Sequence, residues 1–182
     1  MKIISTKIPG CYEIFPIKHK DSRGTFVKTF HSPIFKNYGL KTIFKEDYYS
    51  ISLKNVIRGF HFQVPPNDHV KLVYCVSGKV KDVVVDLRLG SPTYGKHLCI
   101  DLSSRKGNMI YIPKGVAHGF CGLSKISILV YKTTTVHSIK SDTGIKWDSA
   151  GVSWPNKIKI ISKRDKSFIK LKDFKSPFKF KK

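Results

Sequence analysis

The stretch Lys71–Asp86, KLVYCVSGKVKDVVVD, decides the fold class. Two runs rich in Val and Leu flank the tripeptide Ser77-Gly78-Lys79, and β-prone runs on either side of a glycine turn predict a β-hairpin. Similar runs follow at His97–Leu102, Met109–Ile112 and Ile126–Thr135. Short apolar runs at this spacing, separated by Gly and Pro, are typical of antiparallel sandwiches and barrels. The sequence therefore predicts an all-β protein.

Only two segments outside these runs could form helices, Pro33–Tyr38 and Asp165–Phe174, and both would be short. The chain has no internal repeat and no low-complexity linker, and its composition marks no second domain. We therefore expect one domain over residues 1–182, an antiparallel barrel with short peripheral helices.

The composition excludes several classes of protein. With 182 residues, 41% of them hydrophobic and 12% aromatic, the chain can fill a real core, which excludes a disordered tail protein. Its four cysteines form no CxxC pair, so they indicate neither a zinc knuckle nor a secreted disulfide framework, and a reducing cytoplasm is expected. No apolar run is long enough for a signal peptide or a membrane span, and we expect no membrane partner.

The charge is strongly positive, with 34 Lys and Arg against 12 Asp and Glu, a formal net charge of +22 that favours an anionic partner. Residues 156–182 carry eleven of these cations, interleaved with four phenylalanines. A basic, aromatic-spaced tail could bind nucleic acid. The alternative, which we favour, is that a terminal helix and strand pack their Phe and Ile side chains on the barrel and leave the lysines in water.

The segment Gly107–His118, GNMIYIPKGVAH, has the spacing of a strand, a Pro-Gly turn and a histidine in the next strand. It resembles the second conserved half of the cupin barrel motif. In metal-binding cupins the first half supplies a His-x-His pair, and the matching stretch here is Arg58–Gln63, RGFHFQ. That pair is incomplete here, because His61 is the only histidine in the stretch. The resemblance therefore implies a cupin-type jelly roll without the metal site.

Six segments in register make the resemblance specific, and together they are similar to the dTDP-4-dehydrorhamnose 3,5-epimerase family over roughly residues 5–168. The segments are DSRG at 21–24, IRGFHFQ at 57–63, DVVVDLRLGSPTYG at 82–95, IPKGVAHGF at 112–120, YKTT at 131–134, and IKWD with VSWP within 145–155. The family implies a nucleotide-diphosphate-linked 4-keto-6-deoxy sugar as substrate, inversion at C3, C5 or both, and no cofactor. It also implies a role in polysaccharide or glycoconjugate synthesis and a homodimer formed by exchange of N-terminal strands.

The chemistry needs three groups. A hydrogen beside a ketone is only weakly acidic, so its removal requires a positioned base, a stabiliser for the enolate oxygen, and an acid on the opposite face. By resemblance, His61 is the base, Asp165 is the carboxylate that fixes its tautomer, and Tyr131 is the acid. The resemblance implies substrate contacts for Arg23, Arg58, Lys71, His118, His137, Asp142 and Arg164. Of these, Lys71 would lie near the enolate, and the three arginines suit a diphosphate.

The recognition positions depart from the family pattern. Lys28 stands where the family usually has Glu, and Glu46–Ser50, EDYYS, replaces the common Gln-x-Asn-x-Ser. His137 replaces an aromatic Tyr, and Asp142 replaces Glu. The catalytic residues match the family, whereas these recognition positions do not. This difference predicts the same proton chemistry on a non-standard substrate: a CDP- or GDP-linked 4-keto sugar, or a dTDP sugar other than the rhamnose precursor.

Two other functions remain open at this point. A 3,4-ketoisomerase would act on a similar substrate but move the carbonyl instead of inverting a centre. A non-catalytic cupin would bind nucleic acid or an acidic glycan through residues 156–182. The presence of His61, Tyr131 and Asp165 favours the epimerase, and nucleic acid is not the expected partner.

Overall fold

A computed structural model describes residues 1–155 and 159–181. Its strands are β1 (Lys2–Ser5), β2 (Tyr12–Phe15), β3 (Ile17–Asp21), β4 (Gly24–Lys28), β5 (Glu46–Leu53), β6 (Ile57–Gln63), β7 (Lys71–Ser77), β8 (Lys79–Asp86), β9 (His97–Ser103), β10 (Met109–Ile112), β11 (Val116–Gly122), β12 (Ile126–Thr133) and β13 (Asp142–Gly144). The helices are α1 (Ser32–Asn37), α2 (Lys163–Ser167) and a 3₁₀ turn (Leu171–Asp173). The all-β prediction is confirmed.

Two antiparallel sheets form the body of the fold. The first has the strand order β1-β2-β10-β7-β12-β5, and the second has the order β13-β6-β11-β8-β9. Strands β3 and β4 form a separate two-stranded sheet. One core cluster takes side chains from both large sheets, such as Val73 and Leu129 from the first and Val84 and Phe120 from the second. This core between two antiparallel sheets is that of a jelly-roll barrel.

The prediction that Lys71–Asp86 is a hairpin is wrong. Both strands exist, but β7 pairs with β10 and β12, whereas β8 pairs with β11 and β9 in the other sheet. Gly78 links them at a corner, with φ of +77° and no room for a Cβ beside the carbonyl oxygen of Ile126. Because the same Val-rich pattern faces the core from either sheet, the local sequence could not tell a hairpin from a corner.

The two helix predictions had different outcomes. The predicted helix at Pro33–Tyr38 is confirmed as α1, with Pro33 in its first turn. The predicted helix at Asp165–Phe174 is wrong as a single helix, because the backbone is extended at Phe168 and Lys170 and separates α2 from the 3₁₀ turn. Within the two described ranges, no helix has the length and apolar content needed to cross a membrane.

The C-terminal segment contacts the second sheet. Phe178 is buried, its ring lies 5.8 Å from that of Phe62, and its carbonyl accepts a hydrogen bond from the amide of Leu89. The guanidinium of Arg88 lies 5.0 Å from the ring of Phe180. Residues 156–158, with which the predicted basic segment begins, and residue 182 lie outside the described residues.

A close approach of β6 and β11 positions the residues of interest. Gly59 has φ of +118°, and a Cβ there would lie 2.6 Å from the Cα of Gly119. Only glycine fits this contact. Two residues further along, His61 and His118 are direct cross-strand partners. The two imidazoles therefore stand side by side on one face of the sheet.

Candidate active site

A cavity of about 350 Å³ lies between the two large sheets. Strands of both sheets line it, so its walls are the rigid parts of the barrel. Its lining residues are Glu46, Tyr48, Ser50, Arg58, His61, Phe62, Gln63, His69, Lys71, His118, Phe120, Tyr131, Thr133, His137, Asp142 and Arg164. The structure thus brings six of the seven predicted substrate-binding residues together with His61 and Tyr131.

His61 lies on β6 and is held by a carboxylate from α2. Its Nε2 is 2.9 Å from Oδ1 of Asp165, and Oδ2 of Asp165 accepts a hydrogen bond of 2.9 Å from the amide of Gly59. Burial raises the pKa of Asp165, but the bonds from His61 and Gly59 outweigh it and leave that pKa below its usual value. The Asp165 carboxylate accepts a hydrogen bond from Nε2–H of His61, and in that tautomer Nδ1 of His61 carries the free lone pair.

Tyr131 lies on β12, in the opposite sheet, and is buried. Its hydroxyl oxygen is 3.2 Å from Oγ of Ser50 on β5. Burial raises the pKa of Tyr131, so the group is a neutral phenol at pH 7. It is therefore able to donate a proton into the cavity.

A second histidine and a lysine complete the interior. His118 is buried, and its Nε2 is 2.7 Å from Oδ2 of Asp82 on β8. Lys71 is also buried, and its Nζ donates a 3.3 Å hydrogen bond to the carbonyl of His61. Burial lowers the pKa of Lys71 to about 8, which still leaves most of the ammonium charged at pH 7. A buried cation that contacts the backbone of His61 can stabilise negative charge on a ligand oxygen.

Around this interior lies a network of charged side chains. Arg164 on α2 donates to Oδ2 of Asp142 at 2.6 Å, and Nε2 of His137 is 3.2 Å from the same oxygen. Arg58 on β6 donates to Oγ of Ser52 at 3.0 Å and to the carbonyl of Ile51 at 3.2 Å. Within residues 1–155 and 159–181, Arg58 thus forms no hydrogen bond or ion pair with a carboxylate, and its charge is available to an anion.

The chain matches known proteins along nearly its whole length. The family model described as dTDP-4-dehydrorhamnose 3,5-epimerase covers residues 5–173. The enzyme of that name from Shigella flexneri is 40% identical over 168 residues, which are 91% of this chain and 93% of the relative. The one from Methanothermobacter thermautotrophicus is 38% identical over 177 residues, 94% of this chain and 95% of the relative.

Solved structures agree with these matches. The epimerase RmlC from Legionella pneumophila, in complex with dTDP-4-keto-L-rhamnose, superposes with a TM-score of 0.91 at 34% identity, covering 96% of this chain and 94% of that one. NovW from Streptomyces spheroides, a 4-keto-6-deoxy sugar epimerase, gives a TM-score of 0.91 at 32% identity, covering 94% and 88%.

The chain belongs to the dTDP-4-dehydrorhamnose 3,5-epimerase family. The family resemblance, the cupin-type fold and the assignment to the isomerases are thereby confirmed. The match ends at residue 173, so it includes Asp165 and α2 but not the last nine residues of the chain.

One predicted substrate-binding residue of this family member lies elsewhere. Arg23 is at the turn of the β3–β4 sheet, outside the cavity, with 89% of its side chain exposed. It forms an ion pair of 2.7 Å with Asp21, two residues away. Within the part of this single chain that the structure describes, Arg23 does not line the cavity that contains His61 and Tyr131.

Other residues that line the epimerase cavity are not among the predicted site residues, namely Glu46, Tyr48, Ser50, Phe62, Gln63, His69, Phe120 and Thr133. A signal for Glu46 and Tyr48 was present, because both lie in the EDYYS segment that departs from the family pattern. His69 carried no such signal. Burial and the charge of Lys71 lower the pKa of His69 to about 3, so it lines the cavity as a neutral ring.

Phe62, which follows His61 on β6, packs against an aromatic ring of the C-terminal segment. The ring of Phe62 is buried and packs 5.2 Å from that of Phe174. In the stretches 1–155 and 159–181, no group of three or more His, Cys, Asp or Glu side chains is arranged to hold a metal ion.

Proposed function

We propose that the protein inverts C3, C5 or both in a nucleotide-diphosphate-linked 4-keto-6-deoxy sugar. The observation that carries the proposal is the placement of His61, with its carboxylate partner, and Tyr131 on opposite sheets around one cavity. A sugar ring between two such walls has a base on one face and an acid on the other. Inversion of a carbon centre requires this arrangement.

The first step is removal of a proton beside the ketone. Nδ1 of His61 takes the proton, and the electron pair of the broken C–H bond moves into the enolate. Asp165 stabilises the resulting imidazolium through the hydrogen bond to Nε2. The ammonium of Lys71 and the imidazole of His118 stabilise the enolate oxygen, because preorganised donors in a buried site act strongly on developing charge.

The second step returns a proton from the other side. Tyr131 donates its phenolic proton to the carbon, which forms the new C–H bond with inverted configuration. The phenolate that remains accepts a hydrogen bond from Ser50 and regains a proton from water, and the imidazolium of His61 releases its proton to water. No redox step occurs, and the ketone is restored when the enolate collapses.

The diphosphate of the substrate binds to the arginines near the cavity. Arg58 and Arg164 line it, and guanidinium groups bind phosphate oxygens in paired hydrogen bonds. Arg164 is shared with Asp142, so Arg58 supplies the less compensated charge. His137 and Asp142 contact the nucleotide side of the ligand, where this chain departs from the family pattern.

Arg23 joins the site only if a second copy of the chain is present, and the proposed assembly is a homodimer. The β3–β4 sheet carries exposed apolar residues, Phe26 and Val27, and pairs with no other strand of the described chain. The outer face of β5 is also apolar and exposed, at Tyr49, Ile51 and Leu53. Light scattering is expected to give twice the chain mass, and a fully active monomer would contradict this assembly.

The test of the proposed function is exchange of substrate hydrogen with solvent. The protein is incubated in deuterium oxide with 4-keto-6-deoxy sugars linked to dTDP, CDP and GDP. The masses of the products are measured by mass spectrometry, and their configurations are determined by NMR. Uptake of one deuterium indicates proton removal at one centre and uptake of two indicates removal at both, and the NMR spectra show which of these centres are inverted. No uptake with any of the three would overturn the proposal, and a product with the carbonyl at C3 would identify a 3,4-ketoisomerase.

A further inference from the structure

Tyr48 lies flat against Tyr131. The two residues are direct partners in the antiparallel pairing of β5 with β12. Their ring centroids are 4.8 Å apart, and the ring planes differ by 13°. The EDYYS segment places Tyr48 where the family commonly has asparagine, so this stack is a feature of the present chain.

Two further contacts hold the ring of Tyr131. The imidazole of His118 meets it edge to face, with centroids 5.9 Å apart and planes at 70°. Oγ of Ser50 lies 3.2 Å from the phenol oxygen. The phenol is thus restrained on one face, at one edge and at its hydroxyl, and two of these three restraints come from β5.

β5 is an edge strand of its sheet, and 40% of Tyr48 is exposed. Tyr48 is therefore not a core residue on which the barrel depends. Its ring lines the same cavity and covers the face of the Tyr131 ring on the β5 side. In that position it blocks a swing of the Tyr131 ring toward β5.

We propose that Tyr48 is a positioning residue that, with Ser50, fixes Tyr131 so that its hydroxyl points at the sugar face opposite His61. The inference rests on the proposed function. Proton transfer needs the donor and acceptor heavy atoms at about 2.6–3.2 Å, and a misplacement of about 1 Å lowers the rate strongly. A phenol that could swing away would leave the enolate to be reprotonated by the histidinium that formed it.

This mechanism separates two measurable events. Exchange of the substrate hydrogen with solvent needs His61 alone, because the proton on Nδ1 exchanges with water before it returns to the carbon. Inversion needs Tyr131 as well. A loosened Tyr131 therefore lowers the number of inversions per exchange, and it leaves the exchange rate itself unchanged.

The test compares Tyr48→Asn with Tyr48→Phe, using deuterium uptake for exchange and NMR of the product for inversion. Tyr48→Asn removes the stack and is expected to lower the ratio of inversion to exchange by about fivefold or more. Tyr48→Phe keeps the stacked ring and is expected to keep the ratio. The control is Tyr94→Asn, since Tyr94 is also 40% exposed but does not line the cavity. Ser50→Ala, which keeps the ring stack, is expected to lower the ratio in the same direction.

The outcomes are distinct. An unchanged ratio in Tyr48→Asn would overturn the inference, and so would an equal fall in exchange and inversion, which would show that Tyr48 supports the whole cavity. Recovery of the ratio in Tyr48→Phe supports it. Absence of exchange in the unmodified protein with every nucleotide sugar would instead overturn the proposed function, which is a separate result.

Discussion

His61–Asp165 and His118–Asp82 are the same chemical pair in two different surroundings. The nitrogen-to-oxygen distances are similar, 2.9 Å and 2.7 Å, and the two histidines are neighbours across β6 and β11. In the first pair the histidine and aspartate side chains are 30% and 5% exposed, whereas in the second they are 4% and 0% exposed. The comparison isolates the effect of burial on one kind of interaction.

The difference in burial indicates which pair can take part in proton transfer. His61 lines the cavity, and Asp165 accepts a second hydrogen bond from the Gly59 amide, which together with the bond from His61 holds the pKa of Asp165 below its usual value. Asp82 is fully buried, and its second oxygen, Oδ1, has no hydrogen-bond partner among the described residues. A buried ionisable group with few partners is strongly destabilising when its one partner is removed. We therefore expect the first pair to govern rate and the second to govern stability.

The largest effect is expected from His61→Asn. Asparagine cannot accept the substrate proton, so exchange and inversion should both fall by about 10³-fold. The melting temperature should stay nearly constant, because His61 is partly exposed. Deuterium uptake by mass spectrometry measures the rate, and calorimetry measures stability.

The matched control for that variant is His97→Asn, an exposed histidine on β9 outside the cavity. It should keep full activity. If His61→Asn retained a tenth of the activity, His61 would not be the base. The expectation that the His61–Asp165 pair governs the rate would then be wrong.

The next largest effect is expected from Asp82→Ala. Removing the carboxylate leaves His118 buried without its partner, which should lower the free energy of unfolding by about 3 kcal/mol. For a domain of this size the melting temperature should fall by about 6–12 °C. Thermal unfolding followed by circular dichroism measures the shift.

Asp101→Ala provides the control for the buried pair. Asp101 forms an ion pair with Lys79 at the surface, at 2.8 Å and 43% exposed. Exposed ion pairs contribute about 0–1 kcal/mol, so this variant should change the melting temperature little. Equal shifts of the melting temperature in Asp82→Ala and Asp101→Ala would show that burial does not make the His118–Asp82 pair more important for stability than the surface ion pair.

The smallest effect is expected in the dependence of the inversion rate on pH. It is due to Lys71, which contacts the carbonyl of His61. Burial disfavours the ammonium and lowers the pKa of Lys71 from 10.5 to about 8, so the stabilising charge is present below pH 8 and lost above it. The rate of inversion should fall about tenfold between pH 7 and pH 9. A pH–rate profile at saturating substrate measures this limb.

Lys71→Arg sharpens the same measurement. A guanidinium stays charged throughout this range, so any activity that the variant retains should show no limb near pH 8. A limb that persisted would belong to another group. In the unmodified protein, stability should change with pH in the opposite sense to the rate. The pKa of Lys71 is about 8 in the folded protein and 10.5 in the unfolded chain, so between these pH values the unfolded chain binds more protons. The free energy of unfolding should therefore rise as the pH rises through that window.

The fold class was predictable because it depends on local patterns. Val-rich runs such as Lys79–Asp86 and turns such as Pro113–Gly115 encode strands and their ends through alternation and backbone preference. Which strand lies beside which is a long-range property. Gly78 shows the limit, because the same glycine suits a hairpin or a corner between sheets.

The candidate site was predictable where the chemistry needs particular residue types in a particular order. His61, Tyr131 and Asp165 were recognised from family motifs 70 and 34 positions apart (131 − 61 and 165 − 131), and the structure brings His61 and Asp165 into contact. His69 was not recognised as a lining residue, because nothing in a loop histidine states which cavity it faces. Arg23 was placed with the site by resemblance, yet it lies outside the cavity of one chain.

By itself the sequence determined that the chain is a β-barrel of an epimerase family. It also predicted a catalytic histidine, tyrosine and carboxylate, and recognition positions that differ from the family pattern. Only the tertiary structure decided that Tyr48 stacks on Tyr131, that one His–Asp pair is open and the other buried, and that Arg23 stands apart. The physical reason is that alternation and turn preferences act between neighbours in the chain. Burial and stacking depend on strands that meet from distant parts of the chain, as β5 meets β12.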